Sequence, residues 1–400
     1  MGGIDRALPW KDCFVLPEGV IYLDGNSLGP LPVAAVRRVA QAVEAEWGGR
    51  LIRGWNDAGW MAQPAKLGDR IGRLIGAPAG SVVLGDTLSI KVYQALAAAL
   101  SMRPERRVVL SDTGNFPTDL YMAEGLIRQT GQEHELRLAE PEAVEAAIDD
   151  RVAAVLLTEV DYRTGRKHDM RGITEAAHRS GAVMIWDLAH SAGAVEVDLA
   201  ASNAEFAAGC TYKYLNAGPG APAFIYVRPD LAEQAEPVLQ GWLGHAEPFA
   251  FETGYRPGPG IERMRVGTPP VLQMAALEAA LDIWDMVDMA SLRRRSIELS
   301  ELFIAEVESA CPHLRLVSPR EPSERGSQVS FAFDQGYAAM QALIARGVIG
   351  DFRAPDIMRF GITPLYLDEG DVCRAAAIIA EVMASRAYEA PEFQVRAKVT

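Results

Sequence analysis

Three side chains stand out because their types and spacing could perform one chemical task together. The apolar run 182–186 ends in Asp187, and His190 follows three residues later. Lys213 comes after the next apolar run and lies between two tyrosines. The carboxyl ends of strands in an open α/β sheet line the crevice where such sheets bind ligands. We therefore expect the carboxylate, the imidazole and the amine to meet in one cleft.

A carboxylate and a lysine in an otherwise apolar cleft suit pyridoxal 5′-phosphate (PLP). The amine can form a Schiff base with the cofactor's aldehyde, and the carboxylate can keep the pyridine nitrogen protonated, so that the ring accepts electrons. The phosphate needs an anion site, and Thr87 and Ser89 lie where the run SVVL gives way to a helical stretch. Taken singly, these residue types are more often caps, surface lysines or structural histidines, so the PLP hypothesis depends on their joint occurrence.

The elements that must position these residues alternate regularly between about residues 64 and 230. Short apolar runs without polar alternation are typical of strands that are buried on both faces, so we predict an α/β fold with a mainly parallel sheet. The predicted strands are SVVL, RVVLS, VAAVLL, AVMIWD, AEFAAG and AFIYV, and the predicted helices are 65–75, 89–100, 118–130, 141–149 and 172–180.

The stretches GYRPGPG and TPP interrupt this alternation and divide the chain. We expect an N-terminal segment, 1–60, with a helix near 33–47 that packs on the lobes, and a large PLP-binding lobe, 61–270. A smaller α+β lobe, 271–400, should follow. It should contain a long helical region at about 271–309, the strands LRLVS, QVSFAF, GVIGDFR and IMRFG, and helices near 338–346 and 372–386.

Charge and composition exclude several classes of function. The 400 residues include 39 Lys and Arg against 53 Asp and Glu, a formal net charge of −14, which argues against nucleic-acid and anionic-membrane partners. There is no long apolar run, no signal-like start and no metal-ligand spacing of histidines. The four widely spaced cysteines suit a reducing cytoplasm. We expect a cytoplasmic protein without a metal that acts on a small molecule.

Two further motifs match known signatures but lack their context. GNSLG (25–29) fits the nucleophile elbow of serine hydrolases, yet no strand that could supply an oxyanion loop precedes Ser27. GPGAPA (218–223) fits a dinucleotide fingerprint but precedes a strand instead of opening a helix. We therefore favour neither a serine hydrolase nor a dinucleotide-binding protein.

Several longer strings resemble the kynureninase family. They are YLDGNSLGP, NFPTD, EVDYRTGRKHDM, DLAH followed by TYKYLNAGPG, GWLGH and RFGITPLY, and they occur in family order from about Tyr22 to Tyr366. The DxAH and lysine pattern alone indicates the fold-type-I, class-V aminotransferase-like superfamily, whereas YLDGNSLGP and TYKYLNAGPG are closer to family-specific. The resemblance implies a PLP-dependent homodimer with a seven-stranded sheet in its large domain. It also implies hydrolysis of L-kynurenine to anthranilate and L-alanine in tryptophan degradation.

The resemblance also implies a role for each matching residue. Lys213 would carry the cofactor and move the α-proton, Tyr212 would act as a general acid and base tuned by the cofactor's charge, and Arg359 would clamp the substrate carboxylate in a bidentate contact. Trp55 and Thr268 stand where animal relatives carry histidine and asparagine, and they would favour L-kynurenine over its 3-hydroxy derivative. The cofactor contacts would be Leu88, Ser89, Phe116, Asp119, Thr158, Asp187, His190, Tyr212 and Lys213, with Trp242 and Thr268 contributed by the neighbouring subunit.

The alternatives are other class-V enzymes and a non-catalytic protein that retains the fold. A cysteine desulfurase needs a reactive cysteine on a mobile loop, and Cys311 lies instead at an expected junction between a helix and a strand. An aminotransferase is not distinguished by sequence. Retention of Lys213, Asp187 and Arg359 together argues against a purely binding role.

Overall fold

The computed structural model describes residues 10–131 and 133–396. From residue 10 onward the N-terminal segment alternates short strands and turns with helical stretches, and the helix expected near 33–47 is confirmed, because its α-helical part continues as a π-helix over Ala42–Gly48. The labelled elements of this segment are β1 (Phe14–Val15), β2 (Ile21–Tyr22), β3 (Leu31–Pro32), α1 (Val33–Gln41) and α2 (Gly54–Asp57).

The large lobe is built on a seven-stranded sheet. Its strands and helices follow the predicted alternation, with one strand, β6, that the sequence did not indicate. The elements are α3 (Gln63–Leu74), β4 (Val82–Leu84), α4 (Leu88–Ser101), β5 (Val108–Asp112), α5 (Pro117–Thr130), β6 (Glu135–Ala139), α6 (Val144–Ala147), β7 (Val152–Thr158), α7 (Met170–Ser180), β8 (Val183–Asp187), α8 (Leu199–Ser202), β9 (Phe206–Gly209) and β10 (Phe224–Val227).

The strand order is β4-β10-β9-β8-β7-β5-β6, and only β10 runs against its neighbours. The connection from β9 to β10 contains no helix, and a parallel pair would need a crossover that packs on the sheet. The prediction of a mainly parallel sheet is therefore confirmed. The prediction of one helix over 141–149 is wrong in extent, because a 3-10 turn (Pro141–Ala143) leads into the single turn of α6.

Both faces of this sheet are buried, as the uninterrupted apolar runs predicted. On β8, Val183 and Ile185 join the apolar core on one face, whereas Met184 and Trp186 join the core on the other. All four side chains are fully buried. Because both faces are covered, polar ligands can reach the sheet only at its edges and strand ends.

The small lobe begins with two helices where the sequence suggested one long helical region. α9 (Val271–Trp284) and α10 (Met289–Ala310) are separated at Asp288, whose side chain accepts a hydrogen bond from the Ser291 amide and caps α10. The remaining elements are β11 (Arg315–Leu316), β12 (Gln328–Ala332), α11 (Gly336–Ile344), β13 (Val348–Ile349), β14 (Asp351–Arg353), β15 (Ile357–Gly361) and α12 (Glu369–Ser385).

The small sheet has the order β11-β12-β15-β14, with every pair antiparallel. The N-terminal segment joins this lobe, because β2 pairs in parallel with β13, and the Gly361 amide donates to the Leu23 carbonyl over 2.6 Å. None of the helices in the two described ranges combines the length and apolar character that a membrane span requires.

Candidate active site

Two neighbouring strands of the large sheet end in polar side chains that lie side by side. Thr158 ends β7 and Asp187 ends β8, and the two residues are paired in register. The Thr158 hydroxyl donates to Asn115 Oδ1 over 2.5 Å and lies 3.3 Å from Asp187 Oδ2, while the Ala189 amide donates to Asp187 Oδ1 over 2.8 Å. The predicted position of Asp187 at a strand end is confirmed, and the carboxylate is held in a fixed orientation.

Asp119 places a second buried carboxyl group beside Asp187. It lies in the first turn of α5, and both side chains are about 1% exposed. Burial raises the pKa of Asp119 well above its usual value, and the Asp187 carboxylate raises it further. Burial also raises the pKa of Asp187, although the Lys213 charge opposes this. A cation placed at this buried carboxyl pair would therefore be strongly favoured.

Lys213 follows β9 and reaches the same cleft. Its Nζ lies 3.1 Å from His190 Nε2 and between two aromatic rings, 5.9 Å from the centroid of Phe116 and 5.8 Å from that of Tyr212. Phe116 precedes α5 as its N-cap residue and keeps 39% of its surface exposed. The amine thus faces a flat aromatic wall that is open to solvent on one side.

Tyr212 is half-buried, and its environment changes its acidity in one direction. Burial raises the pKa of Tyr212 above its usual value, and Cys210 and Asp187 raise it further. We expect the charge of the cofactor to tune the acidity of this phenol. The protein's own groups already keep the phenol protonated. The hydroxyl is therefore a proton donor at neutral pH.

The expected phosphate end is the start of α4. Leu88 and Ser89 occupy its first turn and are half-buried, and the N-cap Thr87 makes no side-chain hydrogen bond to the helix. The first amides of a helix have no partner within the helix and attract anions. The geometry suits a phosphate group. No hydrogen bond between this turn and Lys213 or Tyr212 occurs within the described residues.

Arg359 lies in the middle of β15 and is about 1% exposed, as is its ion-pair partner Asp351. Its Nε donates to Asp351 Oδ1 over 2.6 Å and its Nη2 donates to Asp351 Oδ2, so one edge of the guanidinium already holds a carboxylate in a bidentate contact. The remaining contacts go to Ser27 Oγ, at 2.9 Å, and to the Tyr162 carbonyl. The predicted bidentate clamp on a substrate therefore has to compete with Asp351, which sequence analysis did not identify.

Asn115, Tyr162 and Gln328 also belong to the cluster, although they are not among the site residues predicted from the sequence. Gln328 Oε1 lies 3.2 Å from His190 Nδ1, and the Gln328 amide nitrogen donates to the Tyr162 carbonyl over 3.0 Å. The Tyr162 ring meets the Phe116 ring edge-on at 5.1 Å. Asn115 and Tyr162 lie inside the motifs NFPTD and EVDYRTGRKHDM, which was a usable signal, whereas Gln328 starts an ordinary-looking strand.

Three predicted site residues lie apart from Lys213 within this chain. The half-buried Trp55 packs edge-on against Trp60 at 5.8 Å. Trp242 is 40% exposed and meets Phe249 at 5.7 Å, and Thr268 is exposed. No hydrogen bond or ring contact joins these three residues to the Lys213 cluster in the described ranges. Exposed positions for Trp242 and Thr268 are what a role in another subunit requires.

The rejected motifs also have structural explanations. Ser27, in GNSLG, donates to Asp351 Oδ2 over 2.5 Å and accepts from Arg359 Nη2, so it supports an ion pair. Within the part of the chain that the structure describes, no histidine is hydrogen-bonded to its hydroxyl. Cys311 follows α10 and is about 1% exposed, which does not fit an acceptor on a mobile loop. GPGAPA lies in the loop before β10.

Comparison with known proteins agrees with this geometry. A family model described as the kynureninase C-terminal domain matches residues 292–379. Kynureninases from Pseudomonas fluorescens and Burkholderia pseudomallei (strain 1106a) are 51% and 50% identical over 403 residues, covering 99% of this chain and 97% of each relative.

Solved structures share the fold at low identity. The apo cysteine desulfurase from Thermococcus onnurineus NA1 has a TM-score of 0.80 at 18% identity, over 96% of this chain and 100% of that one. A C-DES mutant with glycine covalently linked to the PLP cofactor has a TM-score of 0.79 at 17% identity, over 91% and 97%. At this identity the likeness concerns the fold. The sequence relatives decide the family: this chain belongs to the kynureninase family of PLP-dependent enzymes.

Proposed function

We propose that this chain hydrolyses the Cβ–Cγ bond of L-kynurenine, giving anthranilate and L-alanine, at the cleft that contains Lys213, Asp187 and His190. The observation that carries the proposal is the position of the Lys213 amine in an aromatic-walled cleft beside a buried carboxyl pair. The proposal is supported by the identity of about 50% between this chain and kynureninases over 99% of its length. One water is consumed for each bond broken.

PLP fits the residues of the cleft. The Asp119–Asp187 pair is buried, and Asp119 Oδ2 has no hydrogen-bond partner in the described chain, so a protonated pyridine nitrogen would offset the cost of burying this charge. Phe116 offers a ring face, and the first turn of α4 with Tyr212 offers donors for the phosphate. Lys213 supplies the amine that attaches the cofactor. When bound, PLP supplies an electron sink that stabilises negative charge on the carbons of the substrate.

The residues of the chain have separate tasks in this reaction. Lys213 Nζ removes the α-proton of the substrate and can return it, since it faces the cleft and has a hydrogen-bond partner in His190 Nε2. The raised pKa of Tyr212 keeps its hydroxyl protonated, and this hydroxyl serves as the acid when the aryl ketone takes up water and the bond to the aromatic fragment breaks. Asn115 holds the Thr158 hydroxyl, and Thr158 in turn lies against Asp187 and helps to position it.

Arg359 is the cationic group for the substrate's α-carboxylate. Asp351 and Ser27 already hold the guanidinium in one orientation, and the incoming carboxylate would compete with Asp351 for the Nε and Nη2 edge. Burial works against the ionised form of Asp351, but its hydrogen bonds with Arg359 and the charge of Arg359 outweigh this and keep its pKa below the usual value. Arg359 is thereby pre-oriented, which lowers the entropy lost on binding the substrate.

A second copy of the chain completes the site in this proposal. An apolar groove of about 460 Å³ between α1 and α9, which includes Leu31, Val36 and Leu272, is open to solvent. Leu51 and Ile52, in the 3-10 turn that follows the π-helix, are 65% and 77% exposed. Large exposed apolar surfaces of this kind mark protein interfaces. Trp242 and Thr268 then contribute to the site of the partner, and Thr268 and Trp55 bear on discrimination against a 3-hydroxyl group.

The test is incubation of the PLP-loaded chain with L-kynurenine, with quantification of anthranilate and alanine. We expect equal amounts of the two products. Lys213→Ala should lose both turnover and the visible absorbance of the attached cofactor, whereas Lys66→Ala, at an exposed lysine of α3, should retain both. Turnover by Lys213→Ala, or release of sulfide from L-cysteine by the unmodified chain in place of kynurenine cleavage, would contradict the proposal.

A further inference from the structure

Gln328 is a buried amide that links the small lobe to the cleft of the large lobe. It is the first residue of β12, is about 1% exposed, and pairs in register with Gly361 at the end of β15. Its side chain leaves the small sheet and contacts two residues of the large lobe, Tyr162 and His190. Sequence separation from His190 is 138 residues, so no local motif joins the two side chains.

The contacts of the amide fix its orientation. One hydrogen-bond partner is the Tyr162 carbonyl oxygen at 3.0 Å, which can only accept. The Gln328 atom that faces it must therefore be the NH₂ nitrogen, whose other hydrogen points toward Ser330 Oγ at 3.4 Å. The amide oxygen is left facing His190 Nδ1 at 3.2 Å. A flipped amide would place two carbonyl oxygens against each other, so the network itself assigns the orientation.

The orientation of the amide determines the histidine tautomer. An amide oxygen has only lone pairs to offer, so His190 Nδ1 carries the hydrogen of this contact. Burial lowers the pKa of His190 well below its usual value, and the charges of Lys213, Arg359 and Arg353 lower it further, so the ring is neutral. In a neutral ring with hydrogen on Nδ1, Nε2 has a free lone pair, and this atom lies 3.1 Å from Lys213 Nζ.

We propose that Gln328 is a positioning residue that fixes His190 in its Nδ1–H tautomer, so that His190 Nε2 accepts a hydrogen bond from Lys213 Nζ. The proposal rests on the proposed function, in which Lys213 carries the cofactor. In addition, a residue of the small lobe determines that His190 Nε2 is the hydrogen-bond acceptor for Lys213.

The Tyr162 carbonyl connects the orientation of His190 to recognition of the substrate. Both Gln328 Nε2 and Arg359 Nη1 donate to the Tyr162 carbonyl oxygen, and the Gln328 and Arg359 strands, β12 and β15, are adjacent. The contact of the small lobe with the Tyr162 carbonyl therefore determines both the orientation of the Arg359 guanidinium and the tautomer of His190. Besides the charged groups already named, Tyr214 packs edge-on against His190 at 6.4 Å, and burial keeps its pKa high, so it is neutral.

Two substitutions of Gln328 separate this role from simple packing. Gln328→Met keeps the size but removes the acceptor, so the ring can move its hydrogen to Nε2 and Lys213 loses its partner. Gln328→Glu, like Gln328→Met, loses the donor to the Tyr162 carbonyl, but it keeps an acceptor oxygen toward Nδ1 and adds negative charge. The readout is the pH midpoint of the visible absorbance of the PLP-loaded chain, because protonation at the Lys213 nitrogen changes that spectrum. The same changes at the exposed Gln335, before α11, are the matched controls.

We expect the midpoint to fall by about 0.5–1 pH unit in Gln328→Met and to stay unchanged or rise in Gln328→Glu, with no shift in either Gln335 variant. A shift in the same direction for both Gln328 variants, or no shift in Gln328→Met, would overturn the proposal, because the midpoint would then not depend on the acceptor oxygen that only Gln328→Glu retains. Nitrogen-15 NMR of the histidine side chains in the cofactor-free chain checks the tautomer directly. His190 must show hydrogen on Nδ1, and Gln328→Met must lose it.

Failure of this proposal is distinguishable from failure of the proposed function. If Lys213→Ala retains the visible absorbance of the attached cofactor, the assignment of Lys213 is wrong. If that absorbance depends on Lys213 but the Gln328 variants keep the unmodified midpoint, only the role of Gln328 is wrong.

Discussion

The buried Arg359 side chain is held by several hydrogen bonds within the protein. Its guanidinium contacts Asp351 through two nitrogens and also contacts Ser27 and the Tyr162 carbonyl. A lysine has the same charge but offers a single point of attachment, so it cannot span these partners. The identity of this residue therefore matters more than its charge.

Arg359→Lys should lower kcat/KM for L-kynurenine by roughly 2–4 kcal/mol of transition-state stabilisation, while PLP binding changes little. Arg353→Lys is the matched control, since Arg353 contacts Asp351 Oδ2 at 2.8 Å from a one-third exposed position, and it should cost far less. Steady-state kinetics and cofactor titration measure both variants. Weaker cofactor binding with unchanged substrate kinetics in Arg359→Lys would contradict the assignment.

Glu159 is a buried carboxyl group next to the cleft that the proposed reaction does not use. It follows Thr158, is about 2% exposed, and burial raises its pKa to about 7, against weaker opposing effects of Ser191 and Lys167. The folded chain therefore binds a proton more tightly here than the unfolded chain does. Stability from this group is fully present below the usual pKa of glutamate and falls as pH rises to about 7.

Glu159→Gln should remove this pH dependence, since the amide is neutral throughout. Between about pH 4.5 and pH 7 the unmodified chain should lose up to roughly 3 kcal/mol of unfolding free energy from this site, and the variant should lose correspondingly less. Thermal denaturation at several pH values gives the comparison. Glu145→Gln, on the exposed side of α6, is the control, and parallel curves for Glu159→Gln and the unmodified chain would contradict the prediction.

At the residue scale, the sequence predicted the groups whose positions depend on one strand end or one motif. Asp187, His190, Lys213 and Thr158 belong to this class, and the structure brings them together. Asp351 and Gln328 could not be found in this way. Their importance comes from contacts with residues more than a hundred positions away, Ser27 and His190, which no local pattern encodes.

At the scale of elements, the segment GNSLG packs against the back of the Lys213 loop. The Gly29 amide donates to the Tyr212 carbonyl over 2.8 Å, and a Cβ at Gly29 would lie 2.3 Å from the Lys213 carbonyl oxygen and 2.6 Å from Asn216 Nδ2. Since a backbone atom cannot move away as a flexible side chain can, only glycine allows this approach.

Gly29→Ala should therefore separate the segment from the loop, with a loss of about 1–3 kcal/mol in unfolding free energy and weaker PLP binding. Gly125→Ala is the control, because a Cβ there meets nothing within 4 Å inside α5, and alanine should be neutral or stabilising by up to about 1 kcal/mol. Denaturant titration and cofactor titration measure the two effects. Equal behaviour of the two variants would show that the close approach is unimportant.

The elements that sequence analysis misjudged share a physical cause. β6 reads ELRLA, with exposed and half-buried positions at the sheet edge, so it lacks the continuous apolar run that indicated the other strands. The break between α9 and α10 depends on a single cap, Asp288, within a stretch of otherwise helical composition. Burial on both faces gives a strong pattern, whereas edges and breaks depend on tertiary contacts.

For the whole molecule, an exposed aromatic cluster allows a test of whether a second copy of the chain completes the site. Trp242, Phe249 and Phe251 form a series of edge-on contacts and are 40%, 63% and 80% exposed. If Trp242 acts in the site of the partner, then a defect in Trp242 and a defect in Lys213 can complement each other across one dimer.

Coexpression of Lys213→Ala and Trp242→Ala copies with different tags should yield two-tag assemblies. Each variant alone should be nearly inactive, whereas the mixed assembly should recover about half of the unmodified activity, because one of its two sites has both residues intact. The measurement is kynurenine turnover by the purified two-tag species. Absence of such a species, or activity no higher than the mean of the two variants, would contradict the arrangement.

The contact between Ser27 and Arg359 joins residues 332 positions apart, and it has a consequence for synthesis of the chain. At typical translation rates of about 5–20 residues per second, roughly 20 s to 1 min pass between the two residues. During that time Lys213 and Asp187 are already made, but the group that recognises the substrate carboxylate is not. A chain that ends before β15, whether truncated or still being synthesised, therefore lacks this recognition group. The complete site can form only after β15 has been translated.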